Sequence, residues 1–498
     1  MKNFYATTPI YYVNSKPHIG HAYTSILVDM IIRSYKLYDY NTYFLTGTDE
    51  HGDKIAKSAE ENKVSSQEWA DTNSQKFRDL LPLLKAENND FIRTTDVRHI
   101  EVVQDILQKV YDKGDIYFDE YTGSYCFGCE RFLAEDDLEN GLCKDHGRAP
   151  EVITEKNYFF KMSKYWNELK TYIESNEEFV IPQNYRSEVL GLLKMEPTDL
   201  CISRPKSRLT WGITLPFDEN FVTYVWFDAL INYVSALGGV EGELYQNYWK
   251  SAHHVIAKDI LKPHCIYWQT MLLSAGIPLP KQVAIHGYWL IDDSKMSKSQ
   301  GRTINPLEYI DQYGIDALRY YLLKGMNFGR DANFSHEDFV ATINADLANN
   351  LGNLLSRTVG LLAKNFDGKT NSQVVASSDE AKNLVNLGND LKSNLLNHLQ
   401  KMDTHAYLFT IMNFSSEINK YIDHTKPWAL AKDETKRDEL AEVLNLSLQG
   451  ILKCFVAIQS AIPEWAGNVL EHISINTGNN YQLKETIEKK PPGFMRIE

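Results

Sequence analysis

Phe4-Tyr5-Ala6-Thr7-Thr8-Pro9-Ile10-Tyr11-Tyr12-Val13-Asn14-Ser15-Lys16-Pro17-His18-Ile19-Gly20-His21 is the stretch on which the fold turns. Its first part, Phe4 to Ile10, is apolar and β-prone, and it stops at Pro9 and Tyr11-Tyr12. From Ile19 the period changes: Ile26, Leu27, Met30, Ile31 and Tyr35 recur at helical spacing. Thr42-Tyr43-Phe44-Leu45-Thr46, closed by Gly47, reads as a second strand. Strand, helix, strand predicts a parallel α/β sheet. Such sheets bind nucleotides beyond the carboxyl ends of their strands. Pro17 to His21 occupies that handover, where a helix start offers amides and a positive dipole end to an anion. Gly20 withholds a side chain, which predicts that a flat base lies against the backbone. His18 and His21 each supply a hydrogen-bond donor for charge that builds on a phosphate.

A second short stretch, Lys295-Met296-Ser297-Lys298-Ser299, follows Asp292-Asp293-Ser294 and precedes Gly301. Two lysines three apart on a loop suit a clamp that closes on leaving phosphates. Either stretch alone has a bland reading, as a solvated basic loop or as two surface histidines at a helix start. In this order, each in its context, they read as two halves of one phosphate-handling site.

The rest of the chain bounds that reading. At 498 residues it is too long for one core, and about two to four domains are expected. Hydrophobic residues make up 43% and charged residues 24%, the balance of a soluble globular protein. No apolar run approaches the ~20 residues that span a bilayer, and Met1-Lys2-Asn3-Phe4 lacks a signal-peptide layout, so a cytoplasmic protein with no membrane partner is expected. The net charge of −14 argues mildly against a nucleic-acid partner without excluding one, because a local basic patch suffices. The α/β pattern breaks near residue 115 and resumes after about 220, which predicts an insertion. His253 to Ala257 and Val283 to His286 then read as strands with a helical stretch between them. From about Phe339 helical periodicity dominates. Val443, Leu444, Leu448, Ile451, Leu452, Phe455 and Val456 form a wide apolar stripe, which predicts a helical bundle. Lys489-Lys490-Pro491-Pro492-Gly493 reads as a docked or frayed end.

Inside the predicted insertion, Cys126-x-x-Cys129 and Cys143-x-x-His146 form a set of three cysteines and one histidine. Two ligand pairs at knuckle spacing close a tetrahedron around Zn²⁺. Gly128, Gly141 and Gly147 supply the turns. The competing readings are a redox CxxC and a disulfide, the latter disfavoured in a reducing compartment. With all four positions filled by protein, the site is structural rather than catalytic. Cys201, Cys265 and Cys454 are expected to be ordinary buried cysteines.

Pro17 to His21 and Lys295 to Ser299 resemble the HIGH and KMSKS signatures of class I aminoacyl-tRNA synthetases. Between them, the chain is most similar to methionyl-tRNA synthetases, in Pro9-Ile10-Tyr11-Tyr12-Val13-Asn14, Gly47-Thr48-Asp49-Glu50-His51-Gly52 and Tyr224-Val225-Trp226-Phe227-Asp228-Ala229-Leu230. Lys258-Asp259-Ile260, followed by His264 and Trp268, adds to it, and the resemblance runs from Phe4 to about Trp428. Two positions depart from much of the family, Ala257 for Gly and Leu230 for Pro.

The resemblance implies a Rossmann-like parallel-sheet catalytic domain in two halves, 1–114 and 223–290, around an inserted zinc-knuckle connective domain at 115–222. A clamp-loop and stem-contact region at 291–338 and an all-α anticodon-binding bundle at 339–498 would follow. It implies ATP contacts from His18, Gly20, His21, Lys295, Met296, Ser297, Lys298 and Ser299, with His18, His21, Lys295 and Lys298 carrying the chemistry. A methionine pocket is implied at Pro9, Ile10, Tyr12, Asp49, Trp226, Ala229, Leu230, Tyr233, Ile260, His264 and Trp268. Asp49 would bind the ammonium, and Tyr12 and His264 would touch the sulfur. Aromatic walls suit a polarizable thioether. Asn353, Arg357, Pro427 and Trp428 are implied as anticodon contacts. The expected activity is methionine–tRNA ligation, with ATP, Mg²⁺ and one structural Zn²⁺. L-methionine and tRNA(Met), initiator and elongator, are the partners. Because the chain stops at residue 498, a monomer is expected. The alternatives are a class I synthetase for another amino acid and a non-catalytic tRNA-binding protein on the same fold. Intact His18, His21, Lys295 and Lys298 weigh against the second.

Overall fold

The computed structural model describes every residue except 1, 15–16, 127–130, 134, 145–146, 292–293, 296–303 and 479, together with all side chains other than those at 121, 131, 132, 136, 294 and 295. Its centre is a seven-stranded parallel sheet. Asn3–Thr7 lies between Ala252–Ala257 and Asn41–Asp49. Ala252–Ala257 pairs onward with Gln282–His286, and Gln282–His286 with Val180–Ile181. Asn41–Asp49 is paired on its other edge by Asp90–Arg93. At its carboxyl end it is joined by the two residues Tyr11–Tyr12, which sit opposite Thr48 and Asp49. The predicted parallel α/β sheet is therefore present. Tyr12 and Asp49 become neighbours because the chain breaks at Pro9 and re-enters the same edge.

Helix Ile19–Leu37 packs on this sheet with almost every side chain from Ile26 to Ile32 buried. Gly47 is required where the strands meet, since a Cβ there would lie 2.0 Å from Ile92 O. One strand of the core sheet, Val180–Ile181, comes from within the stretch read as an insertion. The insertion is thus laced into the sheet edge rather than hung outside it. Its own sheet is dominated by Ile116–Cys126 pairing antiparallel with Glu151–Phe160 over ten residue pairs. Cys201, expected to be buried, is only partly covered at the end of strand Leu200–Cys201, where Arg204 Nη1 approaches its Sγ at 3.3 Å. Cys265 and Cys454 are buried as expected.

After the sheet, Trp289–Ile291 pairs antiparallel with Ser294–Lys295 and parallel with Ala332–Asn333. The backbone of Lys295, expected on a loop, is therefore the end of a short strand opposite Leu290. The bundle begins at His336–Thr342 and continues through a π-helical segment, Ile343–Gly352, into helix Asn353–Phe366. Helices Asp379–Gln400, Thr404–Thr425, Arg437–Ile458 and Pro463–Ile473 complete it. The apolar stripe on Arg437–Ile458 is buried as read, apart from a partly covered Val456. Leu446, Gly450 and Cys454 are buried too, so the helix is enclosed on nearly all sides. Gly450 allows that, since a Cβ would meet Ile418 Cδ1 at 2.8 Å. Glu434–Ile458 is the one described segment long and apolar enough to cross a bilayer, and here it is the enclosed centre of the bundle.

Two features were not legible as helix. Ser474–Thr477 and Asn480–Leu483 form an antiparallel hairpin whose turn places Gly478 at φ 73°. The tail is docked: Asn344 exchanges two hydrogen bonds with Ile497, and Trp465 Nε1 donates to Pro492 O at 3.0 Å. The core sheet and the bundle are joined by Arg319, which is fully buried. It donates to Asp29 Oδ2 at 2.6 Å on the first helix and to Ala461 O at 2.7 Å in the bundle.

Candidate active site

The site grows from the start of helix Ile19–Leu37. His18 is its N-cap, and its Nδ1 accepts from Gly20 N at 3.1 Å. His21 Nδ1 accepts from His18 N at 3.2 Å, closing a capping box made of two histidines. Their rings stack at 3.8 Å between centroids. Because each Nδ1 accepts an amide proton, a neutral ring carries its own proton on Nε2. The first turn holds no acidic residue, and the dipole and amides there favour an anion. Gly20 also serves the cap itself: a Cβ would lie 2.9 Å from His18 Cε1, so glycine makes room for the capping imidazole.

The helix start is tied to the neighbouring strand, for Thr24 Oγ1 meets His286 Nε2 at 2.9 Å. Burial pushes His286 down to about 4, so it is a neutral acceptor there. Gly287 follows, and a Cβ on it would strike Arg330 O at 2.2 Å. Lys258, directly after strand Ala252–Ala257, is paired with Asp331 at 2.6 Å and lies over the Tyr288 ring.

On the same carboxyl edge an aromatic wall closes. Tyr233 donates to His264 Nε2 at 2.7 Å, and His264 Nδ1 donates to Ile260 O at 2.9 Å. Both nitrogens of His264 are thus engaged within the protein, and burial lowers it to about 4. Tyr233 stacks on His254 at 4.1 Å, and Trp268 and Trp226 stand 6.0 Å and 6.4 Å from Tyr233 and His264 respectively. Tyr233, His264 and Trp268 are fully buried, as are Ala229 and Leu230. Ile10, Tyr12, Trp226 and Ile260 are partly covered and pack on the same apolar cluster. Asp49 is buried at the strand end facing Tyr12, whose hydroxyl donates to His51 O at 3.1 Å. Pro9 is partly exposed, its carbonyl accepting from Thr8 Oγ1.

Three residues that sequence reasoning missed organise this edge. His254 is stacked under Tyr233 and held by Thr7 at 3.0 Å and Trp268 at 3.3 Å. Its signal was a polar residue inside an apolar strand. Asp228 bridges His51 at 2.6 Å and His99 at 2.8 Å with all three buried, fastening the Thr48–Gly52 turn to the segment that carries Trp226. Burial pushes the Asp228 carboxyl up, but the two imidazoles outweigh it and hold the group below the usual carboxylate range. His99 comes from helix Val97–Asp112, and no spacing in the sequence links it to either motif.

Of the phosphate clamp, Met296, Ser297, Lys298 and Ser299 lie outside the described residues, as does the Lys295 side chain. Of the metal set, Cys126 and Cys143 are both buried, while Cys129 and His146 lie outside the described residues. The two described thiols fit a zinc centre. Among the described residues, the small core around them also holds Leu133, with Leu138 packed against it, so both thiols face one shared interior. Cys143 ends a hairpin whose turn, Asn140-Gly141, is wholly left-handed, at φ 54° and 77°.

On the bundle, two of the four residues read as nucleic-acid contacts, Arg357 and Trp428, come together. Asn353 is exposed, Pro427 is buried, and Trp428 is 42% exposed. The Arg357 guanidinium lies 6.0 Å from the Trp428 ring centroid.

An open parallel sheet with an anion-ready, histidine-capped helix start at its carboxyl edge, beside an aromatic pocket and followed by a helical bundle, is the organisation of a class I aminoacyl-tRNA synthetase. The chain belongs to the family described as tRNA synthetases class I (M), whose model it matches over residues 4–139 and 134–359. It is 42% identical over 481 residues to the methionine–tRNA ligase of Fusobacterium nucleatum, covering 95% of this chain and 75% of that protein. It is 39% identical over 519 residues to that of Bacillus subtilis, covering 99% and 78%. Its structure superposes on Mycobacterium tuberculosis methionyl-tRNA synthetase in complex with methionyl-adenylate with a TM-score of 0.94 at 34% identity, covering 99% of each chain.

Proposed function

We propose that this chain is a methionine–tRNA ligase. The observation that carries the reading is the histidine-capped helix start standing on the same sheet edge as the Tyr233–His264–Trp268 wall. One carboxyl edge then holds a nucleotide and a thioether side by side. The methionine carboxylate attacks the α-phosphorus of ATP. The bond to the β-phosphate breaks, pyrophosphate leaves, and methionyl-adenylate remains. A ribose hydroxyl of the terminal adenosine of tRNA then attacks the acyl carbonyl, and AMP leaves. No side chain acts as nucleophile, so the protein supplies positioning and charge stabilisation.

In this reading His18 and His21 donate from Nε2 to the reacting phosphate, and Lys295 and Lys298 neutralise the leaving pyrophosphate. Asp49 receives the ammonium. Trp226, Tyr233 and Trp268, with Ile10 and Ile260, enclose the side chain, where a thioether gains from ring contacts. Asn353, Arg357, Pro427 and Trp428 read anticodon bases by stacking and edge hydrogen bonds. Both initiator and elongator tRNA(Met) are substrates. Mg²⁺ accompanies ATP and offsets its phosphate charge. Cys126, Cys129, Cys143 and His146 hold one Zn²⁺, which substitutes for a core in the knuckle. The domains divide at 1–114, 115–222, 223–290, 291–338 and 339–498, and the enzyme works in the cytoplasm.

The test is ATP–pyrophosphate exchange with each of the twenty amino acids supplied singly, without tRNA. Exchange with methionine far above the rest is expected. Exchange with another amino acid would keep the phosphate site and overturn the pocket. Silence with all of them, from folded protein, would leave a tRNA-binding protein without catalysis.

A further inference from the structure

Arg357 carries the positive charge of the bundle's recognition surface, and its guanidinium is held in place before any ligand arrives. Nη2 donates to Asn419 Oδ1 at 3.0 Å and Nη1 to Asp423 Oδ1 at 3.1 Å, with the Trp428 ring alongside. The two braces differ. The Asp423 side chain is 63% exposed, so that pair is screened by water and salt and holds geometry weakly. Asn419 is partly buried and is itself fixed from below. Its Nδ2 donates to Asn350 Oδ1 at 2.9 Å and to Ser415 O at 3.3 Å. Asn350 Oδ1 also accepts from Ser415 Oγ at 3.0 Å, and its Nδ2 faces Ser416 Oγ and Met412 O.

These bonds fix which way the Asn419 amide points. A flip would set its NH₂ against the guanidinium and its oxygen against Asn350 Oδ1, losing both contacts. Asn350 stands on the π-helical segment Ile343–Gly352, three residues before the start of the helix that carries Asn353 and Arg357. Such segments concentrate at functional sites because the wider turn re-aims side chains. The arrangement is a polar ladder, from the π-helical segment through Asn350 and Asn419 to Arg357.

We propose that Asn419 is a positioning residue for tRNA recognition, fixing the Arg357 fork beside Trp428 so that it meets an unstacked base without first being ordered. This rests on the reading of Arg357 and Trp428 as nucleic-acid contacts. The physical gain is preorganisation. Arginine has among the largest rotamer freedoms of any side chain, and a fork already held loses less of it on binding.

The experiment compares full-length wild type, Asn419→Ala, Arg357→Ala and the double variant. Aminoacylation is measured over a range of tRNA(Met) transcript concentrations, beside methionine-dependent pyrophosphate exchange without tRNA. Asn419→Ala is expected to raise KM for tRNA about tenfold, the scale of one oriented hydrogen bond to a charged group. Its kcat and exchange rate stay within about twofold. In the Arg357→Ala background the same substitution is expected to add nothing, because it acts only through that side chain. Asn350→Ala, which removes the lower brace, moves KM the same way by less and keeps the test open should Asn419→Ala misfold. Additive effects in the double variant would overturn the proposal. So would an impaired Arg357→Ala beside a normal Asn419→Ala, with the anticodon reading intact. A silent Arg357→Ala would overturn that reading and the proposal together.

Discussion

Replacing Arg319 with Met cuts the joint between the helix that starts at Ile19 and the bundle. The guanidinium has no solvent exposure and donates to Asp29 Oδ2 at 2.6 Å, Ala461 O at 2.7 Å, Leu84 O at 2.9 Å and Ser460 O at 3.0 Å. Asp29 belongs to the helix that begins at Ile19, and Ser460 and Ala461 link the helices Arg437–Ile458 and Pro463–Ile473. Removing one member of a buried ion pair costs about 3–5 kcal/mol when it strands the other charge. Here Asp29 keeps Arg33 at 2.8 Å and the Glu87 amide at 2.8 Å, so its charge stays partnered. That sets the pair's loss near the lower end, at about 3 kcal/mol. Three carbonyls lose a charged donor as well, and Met fills most of the volume without replacing them, so we expect about 3–5 kcal/mol in all. A chain with several cores need not unfold in one step. The assay is therefore urea unfolding followed by circular dichroism, with hydrogen exchange resolved at Ile19–Leu37 and at Arg437–Ile458. Both helices should lose protection together. Adding Asp29→Asn should restore nothing, because Arg33 and the Glu87 amide already partner the carboxylate. A shift under about 1 kcal/mol, or protection lost in one helix alone, would refute the idea that Arg319 binds the two bodies.

Four further outcomes are expected. Lys298→Ala should leave the circular dichroism spectrum unchanged and cut single-turnover adenylate formation by ~10²–10³, the scale of one lost charge-stabilising donor; near-normal activation would remove the lysine from the chemistry. Tyr233→Phe strips the donor from the buried His264 Nε2 and should raise KM for methionine about tenfold with KM for ATP unmoved, whereas equal rises in both would point to a general distortion of the sheet edge. Acidification should destabilise the fold: His264 and His286 are pushed down to about 4 by burial, while in the unfolded chain they titrate near ~6.5. The unfolded state therefore takes up protons that the folded state refuses, so stability is complete above ~6.5 and declines as pH falls towards 4, by up to ~1.4 kcal/mol per pH unit per histidine; a urea midpoint that stays flat from pH 7 to 5 would contradict this. Protein purified without added zinc should carry about one Zn²⁺ per chain, and Cys143→Ser should lose it and become protease-sensitive near residues 126–147; negligible metal with three titratable thiols in the wild type would defeat the zinc reading.

Local pattern carried much of this protein. The opening strand, the helix from Ile19 and the strands at 41–49, 252–257 and 282–286 were readable because hydrophobic period and breakers are written in consecutive residues. The helix start proposed as the phosphate site was legible by the same local logic, since a strand-to-helix handover in a parallel sheet needs no distant partner to be recognised. The apolar stripe of Arg437–Ile458 predicted a bundle but not the near-complete enclosure of that helix beyond its first turn, which depends on how many neighbours surround it.

What sequence by itself determined, then, was the set of elements, the handover at His18 to His21, and the paired cysteines at ligand spacing. Tertiary structure alone decided what those residues touch. It made Gly20 a berth for an imidazole, set Asp228 between His51 and His99 across 177 and 129 residues, and laid Arg357 against Asn419 and Trp428. It also threaded Val180–Ile181 into the catalytic sheet and put Arg319 on Asp29 across 290 residues. The physical reason is common to all of these. A polar side chain is held by whatever donor or acceptor burial brings within about 3 Å, and burial is fixed by the packing of whole elements. Nothing in the few residues on either side of it records that partner.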